Sequence, residues 1–231
     1  MLDISPAEWT AVLLSLRVGL VATLVATPIG IAMGWLLARH QFWGKSALDA
    51  AIHLPLVLPP VVTGYLLLLT FGRKGLIGGW LADHLGIVFS FRWTGAALAC
   101  GIMSFPLLVR PIRLSIEAVD RRLEQAASTL GAAPWKVFFT VTLPLALPGV
   151  LAGMVLGFAK AIGEFGATIT FVSNIPGETQ TISAAIYTLT QTPDGDAAAL
   201  RLVAISIVIS MVALVASEWF ARRATQRLHG T

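Results

Sequence analysis

Residues 124–144 read EQAASTLGAAPWKVFFTVTLP. The stretch starts polar and helix-forming, breaks at Gly131, restarts at Pro134 and ends on Leu143-Pro144, where a long apolar run begins. Asp120 stands where its carboxylate can accept from the free amides of a helix beginning at Arg121. Leu123, Ala126, Ala127 and Leu130 fall at helical spacing and make one apolar stripe. Gly131 follows at the position where a left-handed helix terminator costs least. Pro134 suits the first turn of a second short helix through Phe139, and Trp135, Phe138 and Phe139 give that helix a bulky face. A polar helix pair of this kind adds nothing to crossing a bilayer. It reads as a handle for a partner, although a helix lying on a membrane surface has the same periodicity.

The flanks of this stretch set the fold class. The chain has 231 residues, 56% of them hydrophobic and 12% charged, with mean hydropathy +0.81. Soluble domains carry about 25% charged residues, so the solvent expected here is lipid. Five apolar segments reach the roughly 20 residues that span a bilayer as helix: 11–38, 50–71, 93–114, 145–172 and 197–220. They are continuous rather than alternating, which selects helices over a barrel. The acidic start lacks the basic region of a signal peptide and reads as the beginning of the first span. Residues 1–231 are expected to form one all-α membrane domain, with a polar loop at 115–142.

Net charge +4 and pI 9.7 could suggest a nucleic-acid ligand, but the basic residues cluster at span ends. With the N-terminus outside, Arg39, Lys45, Arg110, Arg113, Arg121, Arg122, Lys136, Arg222, Arg223 and Arg227 fall inside, and only Arg73, Lys74 and Arg92 outside. That asymmetry predicts N-out and C-in. Asp3, Glu8, Asp83, Glu178, Asp194 and Asp196 are then outer acids. The segment 181–190 reads as a short amphipathic or re-entrant helix, since a full crossing would put the last arginines on the wrong side.

Prolines punctuate the spans. Pro28, Pro55, Pro106 and Pro111 each read as ordinary membrane-helix prolines, whereas the Pro59-Pro60 pair predicts a real discontinuity. Lys160 and Glu164 lie four apart in the fourth span. They serve either a gate or path, or a mutually neutralised structural pair. Thr63, Gly64, Ser104, Thr168 and Thr170 could line a polar path, or merely pack helices. Arg17 is expected to snorkel outward, and Arg201 and Glu218 to reach their own interfaces. Cys100 stands alone, and His40, His53, His84 and His229 are scattered, so no metal site is expected. Gly44-Lys45-Ser46 lacks the glycine that a phosphate loop needs, since Arg39 occupies that place. No constellation for enzyme chemistry emerges.

Glu124-x-Ala126-Ala127, Gly131 and Leu143-Pro144 resemble the Glu-Ala-Ala loop of ABC importer permeases, here with the alanine pair shifted by one position. A wider match, over residues 53–64 (HLPLVLPPVVTG), 163–171 (GEFGATITF) and 173–179 (SNIPGET), resembles the molybdate permeases of that class. Sulfate permeases are close relatives, but typically carry Glu-Tyr-Gly-Ser where this chain has Glu164-Phe-Gly-Ala. The resemblance implies a type I ABC importer permease fold with five transmembrane helices in the inner cell membrane, and no cofactor. It implies a coupling loop built on Glu124, Ala126, Ala127, Leu130, Gly131, Trp135, Leu143 and Pro144. Pro59, Pro60, Thr63, Gly64, Ser104, Lys160, Glu164, Thr168 and Thr170 become candidates for the path and gate. The implied partners are a second copy of the chain, two copies of a separate ATP-binding subunit, and a periplasmic or surface-anchored molybdate-binding protein. The alternatives are a sulfate or tungstate permease and a non-transporting membrane scaffold. A topology reporter fused after Thr231 should be active only on the cytoplasmic side; activity on the outer face would break the five-span arrangement.

Overall fold

A computed structural model describes residues 4–229, with side chains up to Ala216 and at Trp219. Asp3 and the side chains of Glu218, Arg222, Arg223, Arg227 and His229, used above, lie outside the described residues. Among the described residues eleven helices follow one another: α1 (Pro6–Arg39), α2 (Lys45–Val57), α3 (Pro60–Phe71), α4 (Leu76–Leu85), α5 (Trp93–Ala118), α6 (Arg121–Thr129), α7 (Pro134–Val137), α8 (Leu143–Ile162), α9 (Gly166–Val172), α10 (Ile182–Thr190) and α11 (Asp196–His229). A π turn, Phe138–Thr142, joins α7 to α8. No strand occurs among the described residues.

Among the described residues four stretches are long and apolar enough to cross a membrane: α1, α5, the α7–α8 run and α11. Helices α2 and α3 qualify only as a pair, bent by 115°. The bend has a local cause. A residue before proline is pushed out of the helical region, and both Leu58 and Pro59 precede one. Their backbones are extended, at φ −70°, ψ 142° and φ −54°, ψ 132°. Single prolines act differently: Pro28, Pro106 and Pro111 sit inside unbroken helices.

The fourth predicted span is two helices rather than one. Helix α8 ends at Ile162 and α9 starts at Gly166, so Glu164 lies in the break and not on a helix face. No proline makes this break. Gly163 has left helical geometry at φ −85°, ψ 0°, and the Glu164 carboxylate accepts from the Ala167 amide at 3.0 Å, capping the new helix. At the other end of α8, Pro144 cannot donate to the carbonyl four residues back. The turn widens there, and the Leu143 amide reaches Phe138, five residues back.

Helix α5 is the axis of the bundle and packs chiefly on α1 and α8. Apolar burial gives little driving force in lipid, so membrane helices associate through close approach at small residues. Gly30 and Gly34 of α1 face Leu108 and Ile112 of α5, while Gly149 and Gly153 of α8 face Ser115 and Leu108. A Cβ on Gly34 would lie 2.9 Å from Ile112 Cγ2, and one on Gly153 would lie 2.5 Å from the Leu108 carbonyl oxygen. Leu108 and Ile112 are fully buried between the two faces. Overpacking costs about 1–3 kcal/mol, so Gly153→Val should lower the melting temperature of the purified protein by several degrees. Gly101→Ala, whose Cβ would meet nothing closer than 3.8 Å, should be neutral or stabilising. Equal melting of the two variants would refute the central role of this packing.

Candidate functional site

The α6–α7 hairpin forms as its sequence prescribes. Asp120 accepts from the Arg122 amide at 2.9 Å. At the other end Gly131 has φ +85°. The Gly131 amide donates to the Ser128 carbonyl, and the Ala132 amide donates to the Ala127 carbonyl at 3.2 Å. These are the two bonds of a Schellman terminator. Pro134 takes the first position of α7.

The predicted loop residues divide into a tip and a root. Ala126, Leu130, Gly131 and Trp135 are exposed and Ala127 is half-buried. Leu130 is 89% exposed and Trp135 68%. No side chain of α6 is buried against the rest of the chain. Leu143 and Pro144 are half-buried inside the continuous π–α8 run, so they belong to the root. Glu124 is the link between the two. Its Oε1 accepts from Arg39 Nη2 at 2.9 Å, Arg39 Nε at 3.2 Å and the Thr142 hydroxyl at 2.6 Å. Arg39 also donates to the Val119 carbonyl at 3.0 Å. One carboxylate oxygen thereby ties the hairpin to the end of α1 and to the π turn. The Arg39 side chain is 9% exposed and that of Glu124 19%. Sequence reasoning missed Arg39 and Thr142 as its partners. The only available signal was a basic residue ending the first span.

Around the membrane break, α3 and α9 pack backbone to backbone. A Cβ on Gly64 would fall 2.5 Å from the Ala167 carbonyl oxygen and 2.9 Å from Thr170 Cβ, and one on Gly166 would fall 2.7 Å from Pro60 Cβ. The structure therefore brings Pro60, Gly64 and Thr170 together. Glu164 is buried, and Lys160 Nζ donates to its Oε2 at 2.8 Å. The Lys160 side chain remains 29% exposed. Ser104, Thr168 and Thr170 spend their hydroxyls on helix carbonyls, at Gly101, Phe165 and Gly166 respectively. Thr63 differs: its hydroxyl oxygen is buried and has no partner among the described residues.

Two arginines of the apolar segments have defined partners. Arg201 donates to the buried Glu8 carboxylate at the start of α1, with Nη2 at 3.0 Å and Nε at 3.1 Å. Glu8 also completes a capping box with Ser5. Arg17 stacks on Trp93, its Cζ 3.8 Å from the ring centre. Among the described residues no group of three metal-ligating side chains occurs.

The chain matches the family of binding-protein-dependent transport system inner membrane components over residues 26–226. It is 61% identical over 220 residues to the molybdenum transport system permease protein ModB of Escherichia coli (strain K12), covering 95% of this chain and 96% of that one. It is 55% identical to the corresponding protein of Haemophilus influenzae, with 96% of each chain covered. A probable sulfate transport system permease of Chlorella vulgaris is 37% identical, over 79% of this chain and 68% of its own length. The fold recurs in the crystal structure of a bacterial ABC transporter that imports the acidic polysaccharide alginate, with TM-score 0.74 at 17% identity, covering 95% of this chain and 80% of that one. It recurs also in the methionine ABC transporter MetNI, with TM-score 0.65 at 12% identity, covering 96% and 95%. The chain is therefore a multi-pass membrane protein belonging to the inner-membrane permease family of binding-protein-dependent ABC importers, among its molybdenum permeases.

If Glu124 roots the hairpin, its loss and that of Arg39 should act alike. Hydrogen bonds to charged groups contribute about 1.5–3 kcal/mol each, so Glu124→Gln and Arg39→Gln should each raise amide exchange across 121–129 by at least about tenfold. Leu130→Ala, at the tip, should leave that exchange unchanged. Unaltered protection in Arg39→Gln would exclude the clamp.

Proposed function

We propose that this chain is the permease subunit of an ABC importer that carries molybdate inward by alternating access. The observation carrying this reading is the α6–α7 hairpin: an exposed apolar tip on a helix that its own chain leaves uncovered, rooted by Glu124 in two membrane helices. A tip that packs on nothing needs a partner, and a rooted one can transmit the partner's movement. Ala126, Ala127, Leu130, Gly131 and Trp135 form the face that seats in an ATP-binding subunit, where the hydrolysis occurs. Glu124, Leu143 and Pro144 convey the movement to α1 and α8. Residues 115–142 thereby lie in the cytoplasm, with the N-terminus outside and the C-terminus inside, in the inner membrane.

One hairpin per chain serves one ATP-binding subunit, so the assembly contains two of each chain. The path runs at the interface of the two permeases. Pro59, Pro60 and Gly64 supply the bend and close packing at its wall, and Thr63 supplies an uncommitted hydroxyl. Lys160 is neutralised by Glu164, which suits a conduit: an oxyanion held by a bare lysine would not be released. Ser104, Thr168 and Thr170 contribute helix geometry more than hydrogen bonds, since their hydroxyls are taken. A molybdate-binding protein delivers the substrate to the outer loops. The 61% identity to a molybdenum permease favours molybdate over sulfate, and tungstate, nearly isosteric, should share the route.

Uptake of labelled molybdate by cells lacking the gene, with and without its restoration, tests the reading. Restoration should return uptake that resists excess sulfate, and Glu164→Gln should alter its rate. Uptake abolished by sulfate would move the assignment to sulfate, and none at all would favour a scaffold.

A further inference from the structure

We propose that the groove between α1, α2 and α5 binds an anionic phospholipid, with an acyl chain along the groove and the phosphate on Arg17. The groove has a volume of about 640 Å³ and an almost wholly apolar lining that includes Val21, Val25 and Ile29 of α1, Pro55 of α2, and Trp93 and Phe105 of α5. From Trp93 to Phe105 the helical rise gives about 18 Å. That is close to one leaflet, half of the roughly 30 Å hydrocarbon thickness. Walls of this kind offer water no hydrogen-bond partners, and the three helices that make them belong to membrane-spanning segments. A lipid tail is the apolar material present at that depth.

The head end supplies the charge. Trp93 lines the groove where α5 begins, and the Arg17 guanidinium lies over its ring. Stacking engages the guanidinium face and leaves its in-plane N–H fork free for two phosphate oxygens. Arg17 is exposed and makes no hydrogen bond or ion pair among the described residues, whereas Arg39, Arg113 and Arg201 each hold a carboxylate. The acid nearest on its own helix, Glu8, is committed to Ser5 and Arg201. Arg92, adjoining Trp93, is likewise without an ion pair and adds positive charge at the mouth. A tryptophan beside basic residues is also the usual composition of a membrane–water interface. The inference requires only that these helices span a bilayer. It stands or falls apart from the transport reading.

Native mass spectrometry of the full-length protein, titrated with phosphatidylglycerol or phosphatidylcholine, tests it. Wild type should retain phosphatidylglycerol about fivefold more strongly, the effect of one basic residue on an anionic lipid. Arg17→Gln should lose the preference and Arg17→Lys should keep most of it. Gly101→Leu should weaken both lipids, since Gly101 lines the groove and a Cβ there meets nothing closer than 3.8 Å. Equal retention of the two lipids by wild type, or an undiminished preference in Arg17→Gln, would overturn the proposal. A photo-crosslinker at Val25 should label lipid. Crosslinking to a second copy of the chain would instead assign the groove to a protein interface.

Discussion

The close approach of α1 and α8 to α5 is the constraint from which the rest of the bundle follows. In water, helices are driven together because apolar surface leaves the solvent. Lipid provides no such difference, and contact must be won by fit. Glycines at 30 and 34 on one side, and at 149 and 153 on the other, let α5 approach so near that Leu108 and Ile112 disappear from the surface. With α5 held, its outward faces form the groove with α1 and α2 and the seat of α9. Helix α11 presents Leu200, Ile207, Val208, Val212 and Val215 outward without penalty, because the surroundings are themselves apolar.

Charges in such a setting are costly unless paired, and several of the pairs join separate elements. Glu8 with Arg201 connects α1 to α11, Asp49 with Arg113 connects α2 to α5, and Arg39 with Glu124 connects α1 to the hairpin. Lys160 with Glu164 ties the end of α8 to the break before α9. The last two bear most on the proposed function. One makes the loop an extension of the membrane helices. The other leaves a polar spot within the protein in which the two charges neutralise each other.

Both backbone breaks lie on helices that pack on each other, α3 and α9, through Gly64 and Gly166. One arises from consecutive prolines and the other from a glycine followed by a capping carboxylate. Irregular backbone at membrane depth survives where protein surrounds it or water fills a cavity beside it. Two breaks in contact satisfy this with one local arrangement.

The sequence by itself determined what depends on a few neighbouring residues: the apolar segments, the caps at Asp120 and Gly131, the restart at Pro134 and the turn at Pro59-Pro60. Each is dictated by a period or a backbone preference that acts within one or two helical turns. Only the tertiary structure decided the partners. Glu124 is read from sequence as part of a docking loop, yet its carboxylate points to an arginine 85 positions away. Arg201 reads as a snorkelling residue, yet it meets Glu8 at a separation of 193 positions. The split of the fourth span is not legible in the sequence because Lys160 and Glu164 fit one face of a continuous helix, while the geometry there is set by the buried carboxylate turning to cap α9. A helical period tells which residues share a face. It does not tell which other helix that face will meet, because that is settled by how closely glycine-lined surfaces can pack.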